Sequence, residues 1–330
     1  MSQKIPENRL SEAMQRACAE ARKWLGATTP NPAVGAVALD SGGKILAVAA
    51  HHRAGEAHAE AALIGLCRER DLLGQVHTLC VTLEPCNHQG RTPPCTETII
   101  QAGIKNVAIG TRDPNPRASG GIEKLKQAGI EIINGVDEEE CRQLIASFSY
   151  YESTGKPWMT IKRALDKNGS MIPPPGQKTF TSPESLKLAH RLRKKCDAIV
   201  TGSGTILVDD PLFTVRYVAD IPDKRRWLAI IDRHKRVPEK YLAGALARGL
   251  NPIIFDNVDE ALADLTNKGM QDVLIEAGPT LSQAMFDSHL WCMSVTIHEG
   301  DPDRIDIEFN TREPLPFTAS QFRREWMLPS

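Results

Sequence analysis

Helical and strand periodicities alternate from about residue 10 to residue 150. Met14, Cys18, Ala21 and Leu25 recur at the spacing of one helix face, and Ser11 is placed to cap that helix. Residues 33–39 and 44–50 read as strands joined by Asp40-Ser41-Gly42-Gly43, a run of turn formers that predicts a hairpin. A helix follows over 57–68, a strand over 77–83, a helix over 95–102 stopped by Gly103, and a strand over 105–110. The alternation repeats over 121–128, 130–134 and 138–147. This order predicts an α/β domain with helices packed on one sheet.

Tyr150 to Pro157 breaks the rhythm and is expected to link two domains, residues 1–150 and 151–330. Beyond it come strands at 158–162 and 197–202 around a helix at 183–195, then strands at 227–232 and 252–255. A helix at 258–268, a strand at 272–276 and a helix from about Thr280 complete the pattern. Pro173-Pro174-Pro175-Gly176 reads as a loop, because successive prolines continue neither a helix nor a strand ladder. No internal repeat or long low-complexity segment is present.

Composition narrows the class. A chain of 330 residues has room for two cores, and its 41% hydrophobic and 25% charged content is ordinary for a soluble protein. Its apolar runs are broken by polar residues well short of the roughly 18 that a membrane span needs. The polar start, Met1 to Glu12, lacks the apolar stretch of a signal peptide, so a cytoplasmic enzyme is expected. A net charge of -1 offers no global basic field for nucleic acid. The basic run from His190 to Lys195 reads either as a solvated helix face or as a site for a small phosphorylated ligand. Eight scattered cysteines do not make a disulfide scaffold, and in a reducing compartment their clustering points to metal or catalysis.

That clustering has an order. His58-Ala59-Glu60 is followed by Pro85-Cys86 and then Pro94-Cys95, the H-x-E, P-C and second-Cys pattern of zinc nucleobase deaminases. One imidazole and two thiolates leave the fourth tetrahedral position of Zn²⁺ open to a water whose pKa the metal lowers. Glu60 is expected not to ligate but to take the water's proton and hand it to departing ammonia. His58 and Glu60 fall near one predicted helix start and Cys95 at another, where the helix dipole favours anionic groups. A purely structural zinc would want a fourth protein ligand, and His88 is the nearby candidate. A non-catalytic metal scaffold would leave Glu60 incidental.

The two cysteines are separated by Asn87-His88-Gln89-Gly90-Arg91-Thr92-Pro93-Pro94, where most nucleobase deaminases have P-C-x-x-C. Thr82-Leu83-Glu84-Pro85-Cys86-Asn87-His88 with this insertion resembles the bifunctional riboflavin-biosynthesis deaminase/reductase family, RibD. So do Thr29-Pro30-Asn31-Pro32-Ala33-Val34-Gly35, Ala54-Gly55-Glu56-Ala57-His58-Ala59-Glu60 and Asp113-Pro114-Asn115-Pro116. The resemblance implies a cytidine-deaminase-like N-terminal domain with one Zn²⁺ per site. It also implies deamination of 2,5-diamino-6-ribosylamino-4(3H)-pyrimidinone 5′-phosphate at its 2-amino group. Asn31 and His51 would then contact the pyrimidine, while His88, Arg91 and Asp113 line the pocket or hold the phosphoribosyl arm. Taken alone, Asn31 is equally a turn residue and Arg91 a solvated loop charge.

The C-terminal half resembles the reductase domain of the same family, with a dihydrofolate-reductase-like α/β fold and NADPH as cofactor. The likeness rests on Met159-Thr160-Ile161-Lys162, Thr181-Ser182-Pro183-Glu184-Ser185, Leu192-Arg193, the run from Thr201 to Arg216, and Ile275-Glu276-Ala277-Gly278-Pro279-Thr280-Leu281. It implies that Lys162, Arg193 and Arg216 bind the phosphoribosyl chain, with Asp210 and Glu276 near the reacting sugar. Gly202, Gly204, Thr205, Gly278 and Thr280 would bring backbone amides to the NADPH phosphates. No G-x-G-x-x-G fingerprint is present, which disfavours a Rossmann domain.

This half also departs from the family pattern. Thr179-Phe180-Thr181 stands for W-I-T, residues 164–172 replace S-L-D-G-x-I-A, and Trp291 to Asp301 replaces the expected D-E-L and A-P-K-L-x-G segments, so a shortened reductase-like domain is expected. A deaminase whose second half serves dimerisation or binding is one alternative, and an RNA-base deaminase is another, although the chain lacks aromatic-basic interleaving. The expected partner is the phosphorylated pyrimidine, with no nucleic acid and no membrane. A homodimer or higher homo-oligomer is expected from the resemblance.

Overall fold

A computed structural model describes residues 4–89, 93–173 and 179–317. The chain divides into two compact units, Met1–Ser153 and Thr154–Ser330.

The first unit runs α1 (Glu7–Arg22), β1 (Gly35–Leu39), β2 (Ile45–Ala50), α2 (Ala59–Glu69), β3 (Thr78–Leu83), α3 (Cys95–Gln101), β4 (Asn106–Thr111), α4 (Gly121–Gln127), β5 (Glu131–Asn134), α5 (Glu138–Leu144) and α6 (Ala146–Thr154). Its sheet has the order β2-β1-β3-β4-β5, with β1 antiparallel to both neighbours and β3, β4 and β5 parallel. Every residue of β1 is buried, so both of its faces are covered. Ala36 and Ala38 pack with Leu63, Ile99 and Ile122 of α2, α3 and α4. Because strand side chains alternate, Gly35 lies on the other face, where a Cβ would sit 2.0 Å from the carbonyl oxygen of Ala17 in α1. Gly110 of β4 likewise lies against Cys141 of α5. The sheet is thus sandwiched between two helical layers.

Two expectations need correction here. Ser11 does not cap α1: the helix begins at Glu7 after Pro6, and Leu10 is already buried in it. Ser11 instead donates to the Asp137 carboxylate at 2.9 Å. Residues 150–154 are not linker but the end of α6, because Phe148 and Tyr150 are buried and hold that helix to the unit. Only Gly155 to Pro157 separate it from the next strand.

The second unit comprises β6 (Trp158–Leu165), α7 (Pro183–Lys195), β7 (Ala198–Gly202), α8 (Ser203–Asp209), β8 (Arg226–Ile231), α9 (Glu239–Ala247), β9 (Leu250–Phe255), α10 (Val258–Asn267), β10 (Asp272–Ile275), α11 (Pro279–Ser288), β11 (Met293–His298) and β12 (Arg304–Phe309). The sheet order is β12-β11-β6-β10-β7-β8-β9, parallel throughout except for the β11–β12 pair. Met159, Ile161, Val200, Ala229, Val273 and Ile275 from its strands share one core with Leu265 and Met285 from helices. The sequence reading missed α8, α9, β11 and β12. Residues 293–298 alternate Met, Val and Ile with Ser, Thr and His, a strand period obscured by their departure from the family pattern. Of the proline loop, Pro173 has no regular structure and residues 174–176 lie outside the described residues. No helix among the described residues is long and apolar enough to cross a membrane.

Candidate functional site

In the first unit three elements converge on one point. His58 is the N-cap residue of α2, Cys95 opens α3, and Cys86 lies on the loop that leaves β3. Their ligand atoms all lie within 4.8 Å of one another, the one such group among the described residues. His58 Nδ1 is 3.3 Å from Cys95 Sγ and 3.6 Å from Cys86 Sγ. A tetrahedral zinc with Zn–S of about 2.3 Å and Zn–N of about 2.0–2.1 Å separates an N and an S ligand by about 3.6 Å, so the donor set fits that ion.

Electrostatics agree with the fit. A hydrogen bond from Cys95 holds the Cys86 thiol down at about 4, against burial, and the same bond together with burial pushes the Cys95 thiol up. The pair therefore shares one proton that a cation can replace. The Cys86 thiolate raises His58 as well. Glu60, in the first turn of α2, is 3% exposed, and burial pushes its carboxyl up to about 7. A carboxyl poised there both accepts and donates protons near neutral pH.

The other residues expected at this pocket are placed unevenly. Asn31 Nδ2 lies 3.2 Å from His51 Nε2, and His51 Nδ1 lies 3.0 Å from the Ala57 carbonyl oxygen. Since a carbonyl only accepts, Nδ1 carries the ring proton and Nε2 accepts from Asn31. Burial lowers the His51 pKa, in keeping with that neutral ring. His51 also sits edge-on to the His58 ring at 5.3 Å. His88 is exposed and outside the ligand group, and Arg91 lies outside the described residues. Asp113, pushed up to about 6 by burial and by nearby Glu84, accepts from the Asn115 amide at 2.8 Å. Glu84 itself is 3% exposed and was given no role from sequence. The signal was there: a carboxylate at the end of a wholly buried strand needs partners.

In the second unit the chain leaves β7 toward β8 on one side of the sheet, and leaves β10 toward β11 on the other. A crevice opens where such connections diverge at the carboxyl ends of adjacent parallel strands. Gly202 caps α8 at the end of β7, and Gly278 caps α11 just beyond β10, so these are helix starts rather than free turns. The Gly278 amide donates to Thr205 Oγ1 at 2.8 Å, joining the two. Gly204 and Thr280 are exposed, and a Cβ on Gly204 would meet open space. Two helix starts, each capped by a glycine, suit the diphosphate of a dinucleotide.

Just beyond the carboxyl end of β10, Arg193 and Lys162 converge on Glu276. Burial alone would raise the Glu276 pKa, but these two cations hold it well below the usual carboxylate range. The basic run of α7 is therefore not a solvated face at its centre: His190 is 2% exposed, and Arg193 is 12% exposed. His190 was read only as part of that basic run, its burial hidden by charged neighbours. The Arg216 amide donates to its Nδ1 at 2.7 Å. Arg216 itself is exposed, its guanidinium on Thr214 Oγ1 at 2.8 Å, and Asp210 is an exposed residue with φ 42° ending α8.

Comparison with known proteins assigns each unit a class. Residues 7–111 match the cytidine and deoxycytidylate deaminase zinc-binding region, and residues 168–291 match the RibD C-terminal domain. The chain is 40% identical over 265 residues to the riboflavin biosynthesis protein RibD of Aquifex aeolicus, covering 80% of this chain and 73% of that protein. Among solved structures it resembles a diaminohydroxyphosphoribosylaminopyrimidine deaminase/5-amino-6-(5-phosphoribosylamino)uracil reductase from Thermotoga maritima. That match has a TM-score of 0.77 at 33% identity, covering 88% of this chain and 87% of that one. RibD of Acinetobacter baumannii matches with a TM-score of 0.74 at 30% identity, covering 89% and 87%. The chain belongs to the RibD family. The expected fold, a deaminase domain followed by a reductase domain, stands, and the family match favours the bifunctional reading over a deaminase whose second half serves dimerisation or binding, and over an RNA-base deaminase.

Proposed function

We propose that this chain carries out two steps of riboflavin biosynthesis. The first removes the 2-amino group of 2,5-diamino-6-ribosylamino-4(3H)-pyrimidinone 5′-phosphate as ammonia, with water as co-substrate. The second reduces the ribosyl side chain to ribityl with NADPH. The observation that carries the reading is the His58, Cys86 and Cys95 cluster beside a buried Glu60, in a chain whose second unit matches the reductase domain.

Bound zinc supplies a Lewis acid that makes a water acidic near neutral pH. His58, Cys86 and Cys95 would hold it, and Glu60 would take up a proton from the attacking water and return it to the leaving amino group. Asn31, its amide oriented by the neutral ring of His51, presents its remaining polar atoms to the pyrimidine edge. His88, Arg91 and Asp113 border the pocket and receive the phosphoribosyl arm.

Bound NADPH supplies the hydride for the second step. Gly202, Gly204, Thr205, Gly278 and Thr280 cradle its phosphates. Arg193 and Arg216 grip the substrate phosphate, and Lys162 and Glu276 face the sugar with Asp210. Lys162 keeps donors to spare beyond its bond to Glu276, and Arg193, whose Nη1 also faces the Thr214 carbonyl oxygen and His190, keeps one on Nη2. The expected setting is the cytoplasm and the expected assembly a homo-oligomer, which light scattering of the purified chain tests.

A coupled assay tests the whole reading. The pyrimidine should release ammonia, and the deaminated product should then consume NADPH. Ammonia without NADPH consumption would refute the second step, and deamination of tRNA in place of the pyrimidine would refute the first.

A further inference from the structure

Two of the three metal-ligating residues are carried at helix starts, but Cys86 is on a loop, and something must hold that loop. The neighbouring carboxylate does so. Glu84 Oε1 accepts from the amides of Gly120 at 3.0 Å and Ile122 at 3.1 Å, and Oε2 accepts from the amide of Asp113 at 3.3 Å. Its own amide donates to the Thr111 carbonyl at 2.9 Å. One buried side chain thus gathers both ends of the segment between β4 and α4. A carboxylate bonded by three main-chain amides is fixed far more firmly than a side chain with one neutral partner.

The gathered segment presses directly on the ligand loop. A Cβ on Gly121 would lie 1.9 Å from the Pro85 carbonyl oxygen, so α4 begins against the residue before Cys86. The Asn87 amide, one residue after Cys86, donates to the Ala118 carbonyl at 3.1 Å. From the other side, the Thr96 amide donates to the Cys86 carbonyl at 3.3 Å, and the Cys95 amide to Cys86 Sγ at 3.4 Å. Cys86 is therefore clamped between α3 and a segment whose position depends on Glu84.

We infer that Glu84 is a positioning residue for the metal centre, fixing Cys86 Sγ at its vertex through the segment from Asp113 to Ile122. The inference rests on the zinc reading above. A capping role for α4 alone would stabilise the fold without altering the metal's coordination, and this difference is measurable.

The full chain and its Glu84→Ala and Glu84→Gln variants are stripped of metal and titrated with zinc against a chromophoric chelator, then loaded with Co²⁺ for absorption spectra. Glu84→Ala should bind zinc about 10- to 100-fold more weakly, the usual loss when a group supporting a ligand is removed. Its thiolate-to-Co²⁺ and ligand-field bands should also shift. Glu84→Gln keeps an oxygen for Gly120 and Ile122 but turns an amide donor toward the Asp113 N–H, so a loss of about tenfold is expected. If Glu84→Ala does not fold by circular dichroism, Glu84→Gln decides alone. Wild-type affinity and an unchanged Co²⁺ spectrum in a folded variant overturn the inference. Failure of the wild type itself to bind zinc overturns the metal reading instead.

Discussion

Arg193 and Glu276 meet edge to edge: Nε donates to one carboxylate oxygen and Nη2 to the other, each at 2.7 Å. Lys162 Nζ adds a third contact at 3.3 Å. Glu276→Gln should cost about 3–5 kcal/mol in chemical denaturation, because it strands two buried cations. The acid limb should change too. A carboxylate held below its ordinary value of 4.5 contributes stability that is fully present above that pH and is lost as pH falls through the folded value. Wild type should therefore lose stability below about pH 4.5, and the variant should lack that component.

His190 gives the opposite kind of titration. Its Nδ1 accepts the Arg216 amide, and Arg193 stands 3.3 Å from its Nε2, so neither side welcomes a second ring proton. Burial, then the charges of Arg193 and Arg216, lower its pKa from 6.5 to about 4. The unfolded chain binds the proton first, so stability falls as pH drops from 6.5 toward 4, by about 3 kcal/mol in all. His190→Asn offers an acceptor without a titratable ring, and its stability should fall less than that of the wild type as pH drops across that window.

Glu60→Gln should retain zinc, measured by metal analysis, and lose about 10²- to 10⁴-fold in ammonia release. Chelating the metal from the wild type should abolish ammonia release and leave NADPH oxidation by the deaminated intermediate intact. Full deamination by the glutamine variant would refute the proton-transfer role.

Gly35→Ala tests the close approach of α1 to β1. The new methyl would meet the Ala17 carbonyl oxygen at 2.0 Å and its carbon at 2.8 Å, and neither is the end of a flexible side chain. A loss of about 3 kcal/mol is expected in urea titration. A neutral result would mean that the helix slides away without cost.

The metal cluster was legible because its chemistry demands fixed residue types at places the pattern already marked as helix starts, His58 and Cys95 among them. The β1–β2 hairpin was legible from Asp40, whose carboxylate accepts from the amides of Gly42 and Lys44 at 2.8 and 2.9 Å. Tertiary burial was not. Nothing local distinguishes the buried His190 from its charged neighbours, or explains that Ser11 seeks Asp137, 126 residues away. α8 was not legible because Ser203-Gly204-Thr205 is a poor helix former, and no apolar periodicity marks so short a helix.

The order of the larger sheet leaves β9 and β12 at its margins. Pro252 in β9 lacks an amide hydrogen, and β12 sets Arg304, Asp306 and Glu308 in every second position. Both margins thus carry features that discourage a neighbouring chain from adding a strand. During synthesis in a crowded compartment, such guards divert partly folded copies from aggregation.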